Sequence, residues 1–399
     1  MTHDTPHPER VSPLLLVALA LLSMLAPFAT DMYLPVFPTM ASELGVPVSV
    51  IQLTLTTFFL GVAAGQLVIG PISDRVGRKP PMLVGSILCL LSSAVAAMAP
   101  NAEVLLGARM VQGFTGAAGI VIARAIVADI YHGPVAAKMF SLLAMVGGIA
   151  PVVAPLIGGV LAIPVGWRGI LWTLTGVTGL MLLAVIFVVP ETHFPHEHPA
   201  DRRGLAMLKL LRRPGFVANA LLVTFAFVVL MGYIASSPFV FQTIMGLGVL
   251  GSGVLFAVNS AGIFIGSTIN MRLVEKHGQH RMMRIGLAGL VAGVLLLILH
   301  QVLGLPGLLI EVPLLLFTIS VGFLFGNSVA LALGHAADAR GAGSAMIGAS
   351  QFLGGAVVAP LVGLAGPGSA VPLTIVTTAG MLVCLLCYRV SVRVGQVAR

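Results

Sequence analysis

The sequence predicts an all-α integral membrane protein, with twelve transmembrane helices arranged as two six-helix bundles and both termini cytoplasmic. Three observations carry that expectation. The chain has 399 residues, of which 58% are hydrophobic and only 9% charged, whereas a soluble domain carries about 25% charged residues. So few charges cannot clothe a surface that faces water. The apolar residues also fall in runs of about 20, the length at which a helix crosses a hydrocarbon core about 30 Å thick. These runs do not alternate, which excludes a β-barrel, and a helix is then the structure that pairs its own backbone groups in lipid. Finally, the cations segregate to one side of the runs.

Residues 1–12 form a polar cytoplasmic head. The first run, 13–37, contains Asp31 and is not followed by an A-x-A cleavage site, so it reads as a retained span and not a signal peptide. Runs at 48–70, 81–99, 103–127, 139–163 and 168–190 complete an N-terminal bundle, 13–190. A polar linker, 191–215, precedes runs at 216–240, 250–271, 283–304, 308–333, 342–365 and 370–390, which form a C-terminal bundle, 216–390, before a tail at 391–399. Arg10, Arg75, Arg78, Lys79, Lys138, Arg202, Arg203, Lys209, Arg212 and Arg213 fall on one side. Arg272, Lys276, Arg281, Arg284, Arg340, Arg389, Arg393 and Arg399 fall there too, and Arg168 stands alone opposite. An excess of Lys and Arg marks the cytoplasmic side. The net charge of +8 is therefore topological, which leaves the bilayer as partner and excludes nucleic acid.

Cys89, Cys384 and Cys387 lie inside apolar runs and read as inert buried thiols. His193, His196 and His198 read as part of a solvated loop, so no metal site is expected. The halves echo each other: Ala154-Pro155-Leu156-Ile157-Gly158 recurs as Ala359-Pro360-Leu361-Val362-Gly363, and Asp74-Arg75-Val76-Gly77 as Glu275-Lys276-His277-Gly278, each about 200 residues on. Parallel six-span repeats imply a substrate site between the bundles near the bilayer midplane.

The loop between spans two and three reads Gly70-Pro71-Ile72-Ser73-Asp74-Arg75-Val76-Gly77-Arg78-Lys79-Pro80. Gly70 and Gly77 permit a short turn against a neighbouring helix, Asp74 is suited to a helix N-terminus, and Arg78 is placed to pair with Asp129. A basic turn that merely obeys charge bias would account for the cations but not for the Gly-Asp-Gly spacing. This stretch resembles the signature loop of the major facilitator superfamily. Asp31-Met32-Tyr33-Leu34-Pro35, Arg109-Met110-Val111-Gln112-Gly113, Ala150-Pro151 through Ala154-Pro155-Leu156-Ile157-Gly158-Gly159, and Pro190-Glu191-Thr192 are similar to its bicyclomycin and chloramphenicol/florfenicol resistance branch. The wider antiporter motif has Gly-Pro where this chain has Ala154-Pro155. The resemblance is strong in the N-terminal half and thinner in the second, where the loop motif is degenerate.

The resemblance implies a multidrug exporter of the bacterial inner membrane, driven by proton antiport with alternating access. It would be monomeric, would need no cofactor beyond the proton, and would carry small amphiphilic antibiotics, amphenicol-like or bicyclomycin-like. The alternative is a proton-coupled exporter or symporter of a small metabolite such as an amino acid or sugar. An enzyme is disfavoured, since no metalloprotease, nucleophile-elbow or phosphate-loop motif occurs. A charge within a span marks function by default, and Asp31 and Arg109 each fall roughly 10 Å below the outer surface. Equal depth allows a pair: burial favours the neutral acid, a guanidinium favours the carboxylate, and a change of separation would load or release a proton. A permanent structural ion pair is the other reading. Gly70, Asp74, Arg75, Gly77, Arg78 and Asp129 form the expected conformational gate, and Pro151, Pro155, Gly158 and Gly159 the antiporter helix motif. Arg124 reads as structural, near the same cluster. Tyr33, Met145, Tyr233 and Gln351 are pocket candidates, whereas Asn259 and Ser260 read as interhelical hydrogen-bond partners.

Overall fold

The protein is described here from a computed structural model over residues 13–131, 133–192, 202–337, 339–363, 366 and 368–397. Every regular element among these residues is helical. The first half contains α1 (Pro13–Asp31), a 3-10 turn (Leu34–Val36), α2 (Phe37–Leu44), α3 (Val48–Val76), α4 (Lys79–Ala97), α5 (Ala102–Ile130) and α6 (Gly133–Phe187). A short helix, α7 (Arg202–Leu211), leads to α8 (Pro214–Phe239), which ends in a π turn (Val240–Ile244). Then follow α9 (Val249–His277), α10 (Gln279–Leu303), α11 (Glu311–Gly334), α12 (Arg340–Gly363) and α13 (Val371–Val397).

Eleven helical stretches among the described residues are long and apolar enough to cross a membrane. One of them belongs to α6, whose 55 residues would make a straight rod about 80 Å long, more than twice the hydrocarbon thickness. That helix is broken: Gly166 has φ 62° and ψ −172°, two residues after Pro164, at the gap expected between the runs 139–163 and 168–190. Several boundaries differ from the sequence expectation: α3 runs on to Val76 and α13 through the expected tail to Val397. The first span stops at Asp31 and not at 37, because Pro35 sits in a 3-10 turn that redirects the chain into α2. The linker, expected to be a polar loop, holds α7, whose Leu210 is fully buried.

Small residues set the helix spacing. Gly61 and Gly65 lie one turn apart on α3, where a Cβ would strike the carbonyl oxygens of Met110 and Phe114; Gly113 on α5 is pressed in return against Phe58 O. Without a hydrophobic drive between helices in lipid, such backbone contact supplies the packing. An alanine at Gly113 has only backbone to displace and should cost about 1–3 kcal/mol.

The halves meet along α3 with α12 and α6 with α9. Gln52 Nε2 donates to Ala235 O at 3.0 Å, Thr56 Oγ1 to Ala356 O at 2.9 Å and Gln242 Nε2 to Pro35 O at 2.7 Å. All three lie toward the end of the bundle remote from Asp74. At the Asp74 end a cavity of about 760 Å³ opens between the halves, lined among others by Gln66, Arg124, Met207, Leu333 and Ser344. Between clasp and cavity, Phe59 of α3 packs its ring 6.4 Å from Phe227 and 5.7 Å from Phe352 of the other half. The bundles are therefore joined at one end and parted at the other.

Candidate functional site

Asp31 is the last residue of α1 and is 4% exposed, accepting a hydrogen bond from Thr30 Oγ1 at 2.8 Å. Arg109 on α5 is fully buried. Its Nη2 donates to Ala29 O at 2.6 Å and to Tyr33 Oη at 3.3 Å, and its Nη1 donates to Gln112 Oε1. The guanidinium lies 4.7 Å from the Tyr33 ring centroid and 4.5 Å from that of Phe58, within cation–π range. Gln112 passes the network to Ser93 Oγ at 2.6 Å, and Tyr33 Oη meets Thr54 Oγ1 at 2.8 Å. Four helices are thereby tied to one cation. The direct pair that equal depth allows is not formed, since Arg109 and Asp31 have no contact within 4.0 Å. The rigid fork is engaged by the carbonyl two residues before the carboxylate, at the open C-terminal end of α1, which attracts cations.

The loop residues close a second polar cluster. Arg78 Nη1 binds Asp74 Oδ1 at 2.5 Å and Ser73 Oγ at 3.0 Å, while its Nε binds Asp129 Oδ2 at 2.8 Å. The expected Arg78–Asp129 contact is present, but Asp74 does not cap a helix N-terminus, because α3 continues through Val76 and leaves Asp74 in its last turn. The N-terminus of α4 is taken by Glu191: its Oε1 accepts from Arg78 N at 2.7 Å and its Oε2 from Lys79 N at 3.0 Å. Gly77 bridges the helices at φ 95°, and a Cβ there would stand 2.7 Å from the Glu191 carboxylate. Burial alone would lower the Arg78 guanidinium, but Asp129 and Asp74 outweigh it and hold it above its ordinary value. Gly70 lines the cavity beside this cluster and Arg75 is exposed. Arg124 lines the same cavity without an ion pair within 4.0 Å among the described residues, so it does not join Asp74 or Asp129 directly.

The motif on α6 touches both halves. A Cβ on Gly158 would overlap Met32 O, immediately after Asp31, while Gly159 faces Val249 O and Pro155 O faces Gly253 of α9. Pro151 lies one turn before Pro155, half-buried. Among the pocket candidates, Tyr33 is buried in the Arg109 network, Tyr233 is buried on α8, and Gln351 is half-buried on α12. The side chain of Met145, like His193, His196 and His198, lies outside the described residues.

The sequence matches the Major Facilitator Superfamily over residues 19–359. The chain belongs to this superfamily. It is 34% identical to the uncharacterized MFS-type transporter YdgK of Bacillus subtilis over 91% of both chains. It is 31% identical to the bicyclomycin resistance protein homolog of Haemophilus influenzae over 94% of both. The chloramphenicol resistance protein of Pseudomonas aeruginosa is 32% identical over 72% of this chain and 68% of that one. Within the superfamily the chain thus falls in the drug-resistance branch, as a multi-pass membrane transporter.

The partners of two acidic residues in this transporter escaped its sequence. Glu191 could be found only by knowing that the end of span six returns to the start of α4. Glu311, which stands at the edge of an apolar run, places Oε1 2.6 Å from Asn259 Nδ2 of α9. The hydrogen-bonding role expected of Asn259 had no visible partner in the sequence.

Proposed function

We propose that this transporter exports small amphiphilic antibiotics, amphenicol-like or bicyclomycin-like, in exchange for protons. The observation that carries the reading is a buried carboxylate and a buried guanidinium on adjacent helices that do not pair: Asp31 accepts from Thr30, and the two terminal nitrogens of Arg109 go to Ala29 O, Tyr33 and Gln112. Asp31 can bind and release a proton with no fixed counter-ion, while Arg109 holds the end of α1 through Ala29. With twelve crossings and both termini cytoplasmic, the parted end is the cytoplasmic one, so the arrangement is inward-facing. Substrate enters through the cavity beside Arg124, meets Phe59, Phe227 and Phe352, and reaches the level of Tyr33 and Tyr233. Proton binding at Asp31 removes a buried charge, and the bundles rock about the α3–α12 and α6–α9 contacts. The Arg78 cluster forms on one face of this cycle and biases a two-state equilibrium without touching drug. The protein works as a monomer in the bacterial inner membrane, with no cofactor.

Expression in a host stripped of its own pumps should raise the inhibitory concentration of at least one amphenicol or bicyclomycin-like drug. Asp31→Asn, which cannot release a proton, should abolish that protection while leaving insertion intact; uphill efflux by this variant at normal expression would remove Asp31 from coupling. For topology, a cysteine replacing Lys276 should react only from the cytosol and one replacing Glu103 only from outside. The reverse pattern would overturn the orientation.

A further inference from the structure

Three buried polar atoms without a hydrogen-bond partner among the described residues belong to one neighbourhood: Tyr233 Oη, Asn259 Oδ1 and Glu311 Oε2. Asn259 and Glu311 are joined at 2.6 Å across α9 and α11. Tyr233 of α8 reaches the same place through Phe256, which its ring meets and which lies one turn before Asn259 on α9. The Tyr233 ring stacks on Phe256 with centroids 5.6 Å apart, and Phe241 meets it edge-on at 6.4 Å. Arg109 directs its two terminal nitrogens to Ala29 O, Gln112 and Tyr33 and makes no ion pair with Glu311.

The chemistry of this neighbourhood is one-sided. A carboxylate and an amide oxygen only accept, and a phenol can do either, so the cluster holds spare acceptors and no spare obligatory donor. Unmet acceptors are costly in a buried site. Aromatic faces beside a carboxylate favour a flat, weakly hydrated cation, through cation–π attraction and charge-assisted hydrogen bonds together. A free metal ion would be poorly served, because only one carboxylate is present and the ring faces replace oxygen ligands.

We propose that Glu311, Asn259 and Tyr233 form a cargo subsite in the C-terminal half that recognises a lipophilic organic cation bearing N–H groups. The inference rests on the export reading for its biological meaning and extends it by separating two carboxylates: Asp31 carries the proton and Glu311 reads the cargo. Neutral drugs would then use the aromatic and apolar surfaces without Glu311.

Binding of ethidium, an aromatic cation with amino groups, to the full chain in lipid nanodiscs tests this without requiring transport. Glu311→Gln should weaken ethidium about tenfold or more, whereas Glu311→Asp, which keeps the charge, should stay within about threefold of wild type. Ethidium should also shield Glu311 from a hydrophobic carbodiimide in the wild-type protein, read by mass spectrometry, which covers the case in which Glu311→Gln fails to insert. No ethidium binding by wild type, an unchanged affinity in Glu311→Gln, or unshielded labelling of Glu311 would each overturn the proposal. Loss of drug protection in cells with ethidium binding intact would instead sink the export reading and leave the subsite standing.

Discussion

The loop between α3 and α4 and its counterpart between α9 and α10 share a backbone and little else. Each turns through a glycine in the positive-φ region, Gly77 at 95° and Gly278 at 79°. In the first, Arg78 is 6% exposed and binds Asp74 and Asp129, while Glu191 caps the next helix. In the second, Glu275 and Lys276 are exposed, and a Cβ on Gly278 would meet nothing within 4 Å. The two loops share the turn that reverses the chain and not the charges that bind it to its neighbours. A turn is dictated locally by one glycine, whereas an ion cluster needs partners from three helices and decays once any one changes.

That contrast can be broken deliberately. The largest effect is expected from Arg78→Ala, which strands Asp74 and Asp129 with about 2 kcal/mol of lost hydrogen bonding to charge. Transport rate should fall more than tenfold, while Lys276→Ala should leave it within about twofold; equal losses would make both loops simple topogenic signals. Next comes Gly77→Ala against Gly278→Ala. Both strain the backbone by about 1 kcal/mol, but only the first drives a methyl into Glu191, so thermal unfolding in detergent should drop further for Gly77→Ala. Smaller still is the coupling between Arg78→Ala and Asp129→Asn: their combined effect on rate should be less than additive by about 1 kcal/mol, because the first already removes the pair. Last, Arg78→Lys should recover only part of the wild-type rate, since an ammonium cannot serve two carboxylates and a serine as a fork does.

The same contrast marks what could be read from the chain alone. Apolar run length is a local property, so the spans were legible, and the break at Gly166 appeared as a gap between runs. Arg78 with Asp129 was legible too, because the two bracket a short loop and an adjacent helix end on one side of the membrane. Asp74 at a helix N-terminus was not, since nothing local reveals that α3 runs on through Val76. Whether Asp31 and Arg109 pair was not legible for a finer reason: depth counting places residues to within a turn, and the carbonyl of Ala29 that Arg109 takes lies only two residues, about half a turn, before Asp31. Glu191 and Glu311 found their partners at sequence separations of 113 and 52 residues, which only tertiary structure supplies.

Gly158 presses backbone on backbone against Met32, while one residue further on α6 leans against α9. Side chains usually act as springs, absorbing a small slide by changing rotamer. Here the linkage has almost no play. On the proton-exchange reading proposed above, displacement of one bundle against the other would be delivered through α6 as a push on the peptide next to Asp31, much as a rocker arm lifts a valve. The timing of proton release would therefore be set by the stiffness of a single contact, and a bulkier residue at 158 would mistime the stroke before it weakened the fold.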